Sequence, residues 1–575
     1  MKFIATLSLV IACAAATPGY AQQAQPRTAR EDGLDPSPLD PRVDPNIDMF
    51  VNDWKNAPPR TMYGGITFQD ILTRLEGPDP QHPTRKGAVL VNITAISHAT
   101  MAAGARATGR AAAGEHQVFF TMAGTGTIAV NAKSYELRKG TGFTITPDTS
   151  FTLSNTGKEP LTFYVRTEPI PANDVASPDL VVVNSLDNDR RVGAHWAHIN
   201  SGGPAGMTLI GIAPRTMPQP HSHPAEECWI MVQGETVLSL GKQIRRMTAG
   251  QAYKIPPTGI TAHSNLNLGD EPVEMIFMGP AGGGGGGRGG RGGPAAQAAP
   301  GQGRGGPGAQ GTDFSRLDNG AYNRATEQDI DMFMGEWRNA FPRIMHGNLY
   351  VRDMLTALQG PDPLHPARRG AVLTNAEAVS YAQLEPGATA HRVEGELKNT
   401  QQTFVVNSGT GVITSGAIKT ELAKDMAFVI SPGMDFRLTA TGDKYLTFYV
   451  VTEKVAEGHV PPPVLHVVDN RARTQVTNAW VNQERPLISK AEGLSQYGAV
   501  TQVTMKPMTM SRPSSSEAGA EEIWIATDGD VDVLIGKELR RLRAGTAYRV
   551  PSTGITAHAN INATGQEARF LYVVK

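Results

Sequence analysis

The chain has 575 residues, too many for one hydrophobic core, so roughly three to five domains are expected. Apolar residues at 40% and charged residues at 19% exclude a disordered chain, and aromatics at 6% with 62 Gly and 41 Pro favour short strands and turns over long helices. A net charge of −1 leaves no basis for electrostatic capture of nucleic acid or of an anionic membrane.

The first 21 residues read as a secretory signal. Lys2 supplies the positive start, Phe3 to Ala16 is an apolar run too short to span a bilayer, and Gly19-Tyr20-Ala21 offers small residues for cleavage before Gln22. The alternative is a lipoprotein signal, because Val10-Ile11-Ala12-Cys13 has the form of a lipobox. No later apolar run is long enough for a membrane span, so the mature chain is expected to be exported, to the periplasm or beyond. Cleavage would leave Cys228 as the only cysteine, which rules out an internal disulfide and a multi-cysteine zinc site.

The rest of the chain is a repeat inside a repeat. IDMFVNDWKNAPPR from Ile47 recurs as IDMFMGEWRNAFPR from Ile330, and AGQAYKIPPTGITAHSN from Ala249 recurs as AGTAYRVPSTGITAHAN from Ala544. Two homologous halves flank a Gly-rich linker at 281–312 that cannot bury a core. DMFVNDW and FQDILTRL in the first half look like short helices on a barrel exterior. Elsewhere, short β-rich runs such as TFYVRTE and EIWIATDGDVDVLIG are punctuated by Gly, Pro, Asp and Asn, the signature of β-sandwiches or barrels. Each half divides again, giving units at 45–171, 172–280, 326–455 and 456–575. Trp54 and its copy Trp337 read as packing anchors.

The residues from His221 read HSHPAEECWIMVQGE. Alternate residues of a strand share a face, so His221, His223 and Glu227 would point together into a barrel. Glu226 would point the other way, as a surface or turn residue. A turn at Pro257 and Gly259 then leads to His263. This pattern, H-x-H-x3-E-x6-G followed by G-x6-P-x-G-x3-H-x3-N, closely resembles the two motifs of the cupin family. It departs in having Arg215 where a glycine is usual and in two spacings longer by one residue.

The resemblance implies an all-β fold of jelly-roll (double-stranded β-helix) barrels, four in two tandem pairs with short peripheral helices. It also implies one divalent transition metal (Mn, Fe, Cu, Ni or Zn) held by His221, His223, Glu227 and His263. Trp229, Met231 and Tyr253 would line the pocket. His195 and His198 have no histidine counterparts around Trp480 in the second half, which leaves them either near the metal or as ordinary packing residues. The fourth unit keeps Glu522 and His558 but has Ser516 and Ala518 at the motif histidines. The first and third units carry Gln117 with Phe151 and Gln402 with Phe436 at the ligand positions, which reads as filled barrels. His82 and His365 sit in repeated GPDPxHP loops.

The arrangement of one loaded and one empty barrel in the first half is similar to two-cupin flavonol dioxygenases and pirins, whereas oxalate decarboxylases generally keep both sites. Two functions follow. One is an oxygenase, decarboxylase or isomerase acting on a small organic molecule, with Glu227 as ligand and proton acceptor. The other is a non-catalytic carrier of a sugar, a phenolic compound or a metal. Either would be a monomer of paired barrels or a homodimer, with no nucleic-acid partner and no membrane span.

Overall fold

The computed structural model describes residues 37–147, 150–170, 182–184, 191–192, 198–201, 207–222, 226–256, 261–279, 322–323 and 325–575. The proposed signal at 1–21 and the linker at 281–312 lie outside these residues, as do His195 and His223; His198 belongs to a strand, but its side chain is not described.

The architecture is all-β, four jelly-roll barrels each made of a large and a small antiparallel sheet. The large sheet of the first barrel runs Pro59–Met62, Ile66–Arg74, Ala95–Met101, Leu161–Pro169, Glu115–Ala123, Thr141–Ile145, Val182–Asn184. Its central strand, LTFYVRTEP, is rich in the β-branched and aromatic residues that suit a sheet buried on both faces. In the second barrel the large sheet runs Val51–Asp53, Gln251–Lys254, Cys228–Gln233, Val273–Met278, Met207–Ile212, His198–Ser201, Arg191–Val192. The small sheet of that barrel is Gln243–Thr248, Glu235–Leu240, His263–Leu266.

The two barrels exchange edges. Val51–Asp53 precedes the first barrel in sequence but pairs with Gln251–Lys254 of the second, while Val182–Asn184 returns to pair with Thr141–Ile145 of the first. The second half repeats the exchange with Met334–Glu336 on Thr546–Arg549 and Val467–Asp469 on Met426–Ile430. Thus 51–53 and 182–184 each complete the barrel on the far side of the boundary drawn at 171/172. Trp54 follows the first exchanged strand and stacks on His98 at 4.3 Å; Trp337 does the same on Tyr381 at 4.6 Å. Gly250, at φ +96°, gives Trp54 its seat, since a Cβ there would lie 2.7 Å from the indole nitrogen.

The peripheral helices are not found. Among the described residues every helical element is a 3-10 turn of three or four residues, and none is long and apolar enough to cross a membrane. DMFVNDW splits into a turn at Ile47–Met49, the exchanged strand, and a turn from Trp54. FQDILTRL lies in the nine-residue strand Ile66–Arg74 except for its last residue, Leu75. A β-bulge between Asp70 and Leu72 makes Phe68, Ile71 and Leu72 all buried, a spacing that imitates a helix face.

The halves pack through their second and fourth barrels. Met217, Val237, Ile244 and Leu266 share one buried cluster with Met510, Val533 and Ile561. The backbone joins as well, with Leu539 N–H donating to the Arg215 carbonyl at 2.7 Å and Leu39 N–H to the Trp480 carbonyl at 2.8 Å.

Candidate metal centre

Three of the four candidate ligands lie in the described residues, and the fold brings them to one place. His263 opens the strand His263–Leu266, and its backbone exchanges hydrogen bonds with His221 across an isolated bridge, at 3.0 and 3.4 Å. The two imidazole rings stand 4.2 Å apart at 56°. Glu227 immediately precedes the strand Cys228–Gln233, and its Oε1 lies 3.2 Å from His263 Nε2. The regular strand begins only at Cys228, so His221 reaches the site through its bridge to His263 rather than through continuous strand parity.

The surroundings orient these groups. His221 Nδ1 is 2.9 Å from the Gln219 carbonyl, which only accepts. The proton therefore sits on Nδ1, which fixes the ring in the tautomer that ligates through Nε2. Trp229 Nε1–H donates to Glu227 Oε1 at 2.6 Å. Tyr253 lies parallel to Trp229, 6.5 Å away, and its hydroxyl accepts from Asn265 Nδ2 at 2.8 Å. Burial pushes the Tyr253 phenol well above its usual range, so it stays neutral. Met231 is fully buried on the same strand.

These residues fit a metal. Two donors bound to one ion at about 2.1 Å and at right angles stand about 3.0 Å apart, close to the 3.2 Å between Glu227 and His263. Both are buried, at 7% and 1% exposure, where a carboxylate needs a cation or several donors. Among the described residues alone no set of three His, Cys, Asp or Glu side chains is gathered closely enough to hold an ion.

Glu226 corrects the sequence reading. It does point away from Glu227, but it is buried, at 5% exposure. It accepts from the backbone N–H groups of Val91, Asn92 and Ile93 at 2.6, 2.7 and 3.2 Å, and Lys254 Nζ lies 3.7 Å away. The pair joins the first barrel to the second. Cys228 is buried on this side too, with burial pushing its thiol up.

At this place in the first and third barrels, other side chains pack together. Gln117 accepts from Tyr63 Oη at 2.7 Å and donates to Thr167 Oγ1 at 3.0 Å, while Phe151 packs edge-on against Tyr63 at 5.0 Å. Gln402 meets His346 at 2.7 Å, and Phe436 packs edge-on against that imidazole at 5.1 Å. Sequence inspection missed Tyr63 and His346, which sit at positive φ (56° and 51°) in the paired TMYGG and IMHGN turns. His82 and His365 are exposed and pair with Asp79 and Asp362, each at 2.7 Å.

Paired jelly rolls, with an imidazole and a carboxylate meeting inside one barrel, define an all-β protein of the jelly-roll class. The cupin domain model matches residues 97–166 and 208–279, so the first half carries two cupin domains. No curated protein matches the chain. Among solved structures it is similar to oxalate decarboxylase from Bacillus subtilis, at 11% identity and a TM-score of 0.31, covering 40% of this chain and 76% of that one. It is also similar to a putative glyoxylate induced protein from Pseudomonas aeruginosa, at 14% identity and a TM-score of 0.34, covering 43% and 96%. A third similar structure is protein Ylba from E. coli, at 12% identity and a TM-score of 0.32, covering 42% and 94%.

Proposed function

We propose that the chain is an exported, metal-dependent cupin enzyme acting as an oxygenase, decarboxylase or isomerase on a small organic substrate. His221, His223, Glu227 and His263 would hold one divalent transition metal. The observation that carries this reading is the meeting of two buried donors, Glu227 Oε1 and His263 Nε2, at 3.2 Å beside an imidazole held in the ligating tautomer. A bound ion would supply Lewis acidity or a redox partner. The chain supplies the rest. Trp229 holds Glu227 Oε1, so a proton taken by this carboxylate would be carried on Oε2. The rings of Trp229 and Tyr253 give the pocket flat, largely apolar walls that suit a partly aromatic substrate.

The test is elemental analysis of the mature chain beside the His221→Ala/His223→Ala variant, with N-terminal sequencing to check export. About one transition metal per chain, lost in a folded variant, supports the site, and a mature start at Gln22 supports the signal. Turnover in oxygenase, decarboxylase or isomerase assays that disappears with the metal supports the enzyme. One metal per chain without turnover favours the carrier. No metal above background after reconstitution overturns the reading.

A further inference from the structure

The fourth barrel is open where the first and third are filled. A cavity of about 650 Å³ lies over its interior, within the size range of small-molecule sites. Its floor is Glu522, which is 5% exposed and accepts from Ser516 Oγ, from Trp524 Nε1 at 2.7 Å and, across an ion-pair contact of 2.8 Å, meets His558 Nε2. Burial alone would push this carboxyl up. The charge and hydrogen bond of His558, with those of Ser516 and Trp524, outweigh it and hold Glu522 below its usual range. The carboxylate is thus satisfied by a hydroxyl, an indole and an imidazole.

Other lining groups are not satisfied by the described residues. His558 Nδ1 and Asn482 Oδ1 belong to side chains only 5% and 2% exposed, both line the cavity, and neither atom has a hydrogen-bond partner among the described residues. Buried polar atoms of this kind are rare and point to something that pairs them. The Ser515 hydroxyl is in the same position. One wall is the stacked pair Trp524 and Tyr572, with ring centroids 4.3 Å apart. The rim hairpin carries Ala479 and Trp480 at φ 43° and 72°, a strained conformation for side chains with a Cβ and one that recurs at binding sites. Carboxylates (Glu484, Glu517, Glu522) and cations (Arg512, Lys575, beside His558) are mixed, which favours a neutral ligand over an ion.

We propose that this cavity is a second, metal-independent site that binds a neutral sugar or polyol. Its hydroxyls, amides and carboxylates match a ligand whose OH groups both donate and accept, and the aromatic wall matches the C–H face of a sugar ring.

The full mature chain would be titrated with neutral monosaccharides, disaccharides and polyols by calorimetry and tryptophan fluorescence, with matching sugar acids as the anionic control. Saturable binding of a neutral member is expected, unchanged by EDTA and by His221→Ala. It should weaken about ten-fold in Asn482→Leu and be abolished in Ser514→Trp, which puts an indole into the cavity beside His558. Circular dichroism and the melting temperature of each variant confirm the fold. The proposal is overturned by no binding of any neutral member, by binding of only the sugar acids, or by binding that survives Ser514→Trp in a folded protein. Binding lost with EDTA or in His221→Ala would move the ligand to the second barrel and overturn it equally.

Discussion

The peptide bond between Glu226 and Glu227 separates two carboxylates that face different barrels. Glu227 meets His263 inside the second barrel; Glu226 closes a nest of three backbone donors from the first and neutralises Lys254, which is fully buried. Removing Glu226 leaves a buried ammonium without its counterion. Glu226→Ala should therefore destabilise the first half by about 3–5 kcal/mol in denaturant unfolding, and adding Lys254→Met should recover part of the loss. His98 makes a pH-dependent contribution. Burial against Trp54 lowers its pKa to about 4 from the ordinary 6.5, so below pH 6.5 the unfolded chain takes up a proton the folded chain refuses. The stability it contributes is fully present above pH 6.5 and is lost as pH falls towards 4; His98→Phe, which keeps the stack, should flatten the fall in melting temperature across that window. Much of this scale is legible in the sequence: the spacing of His221, Glu227 and His263 names residues that the fold brings together. Glu226 is not, because its donors lie more than a hundred residues away and no local pattern marks them. Nor are the hydroxyls above Glu522, since Ser514, Ser515 and Ser516 also read as an ordinary loop.

At the scale of elements, short strands and turns are legible from β-branched and aromatic runs cut by glycine. The strand Ile66–Arg74 misleads because its bulge shifts the alternation by one residue, which a strictly two-residue period cannot represent. The exchanged strands are invisible for another reason. They are three residues long, and their partners are set by topology rather than composition. The second-half copy of the exchange is tight. A Cβ on Gly335 would collide with the Met354 carbonyl oxygen, whereas its first-half counterpart Asn52 fits and donates to the Ile71 carbonyl at 2.9 Å. Gly335→Ala should cost about 1–3 kcal/mol or more, seen in thermal unfolding as an earlier transition of the second half.

At the scale of the whole molecule, the cluster shared by the second and fourth barrels ties two distant stretches of chain into one core. Ile244 is fully buried there, so Ile244→Ala should cost about 2–5 kcal/mol. Hydrogen exchange should then quicken in the strand Val531–Ile535, although the substitution lies in the other half; unchanged protection there would mean that the halves unfold independently. The exchanged edges carry a consequence for ancestry. A single barrel copied alone would lack the strand its mate lends it and would expose an unpaired sheet edge, an invitation to aggregate. The smallest length of gene that could be duplicated without that penalty encodes an interlocked pair, and a pair is the period at which the long sequence repeats recur.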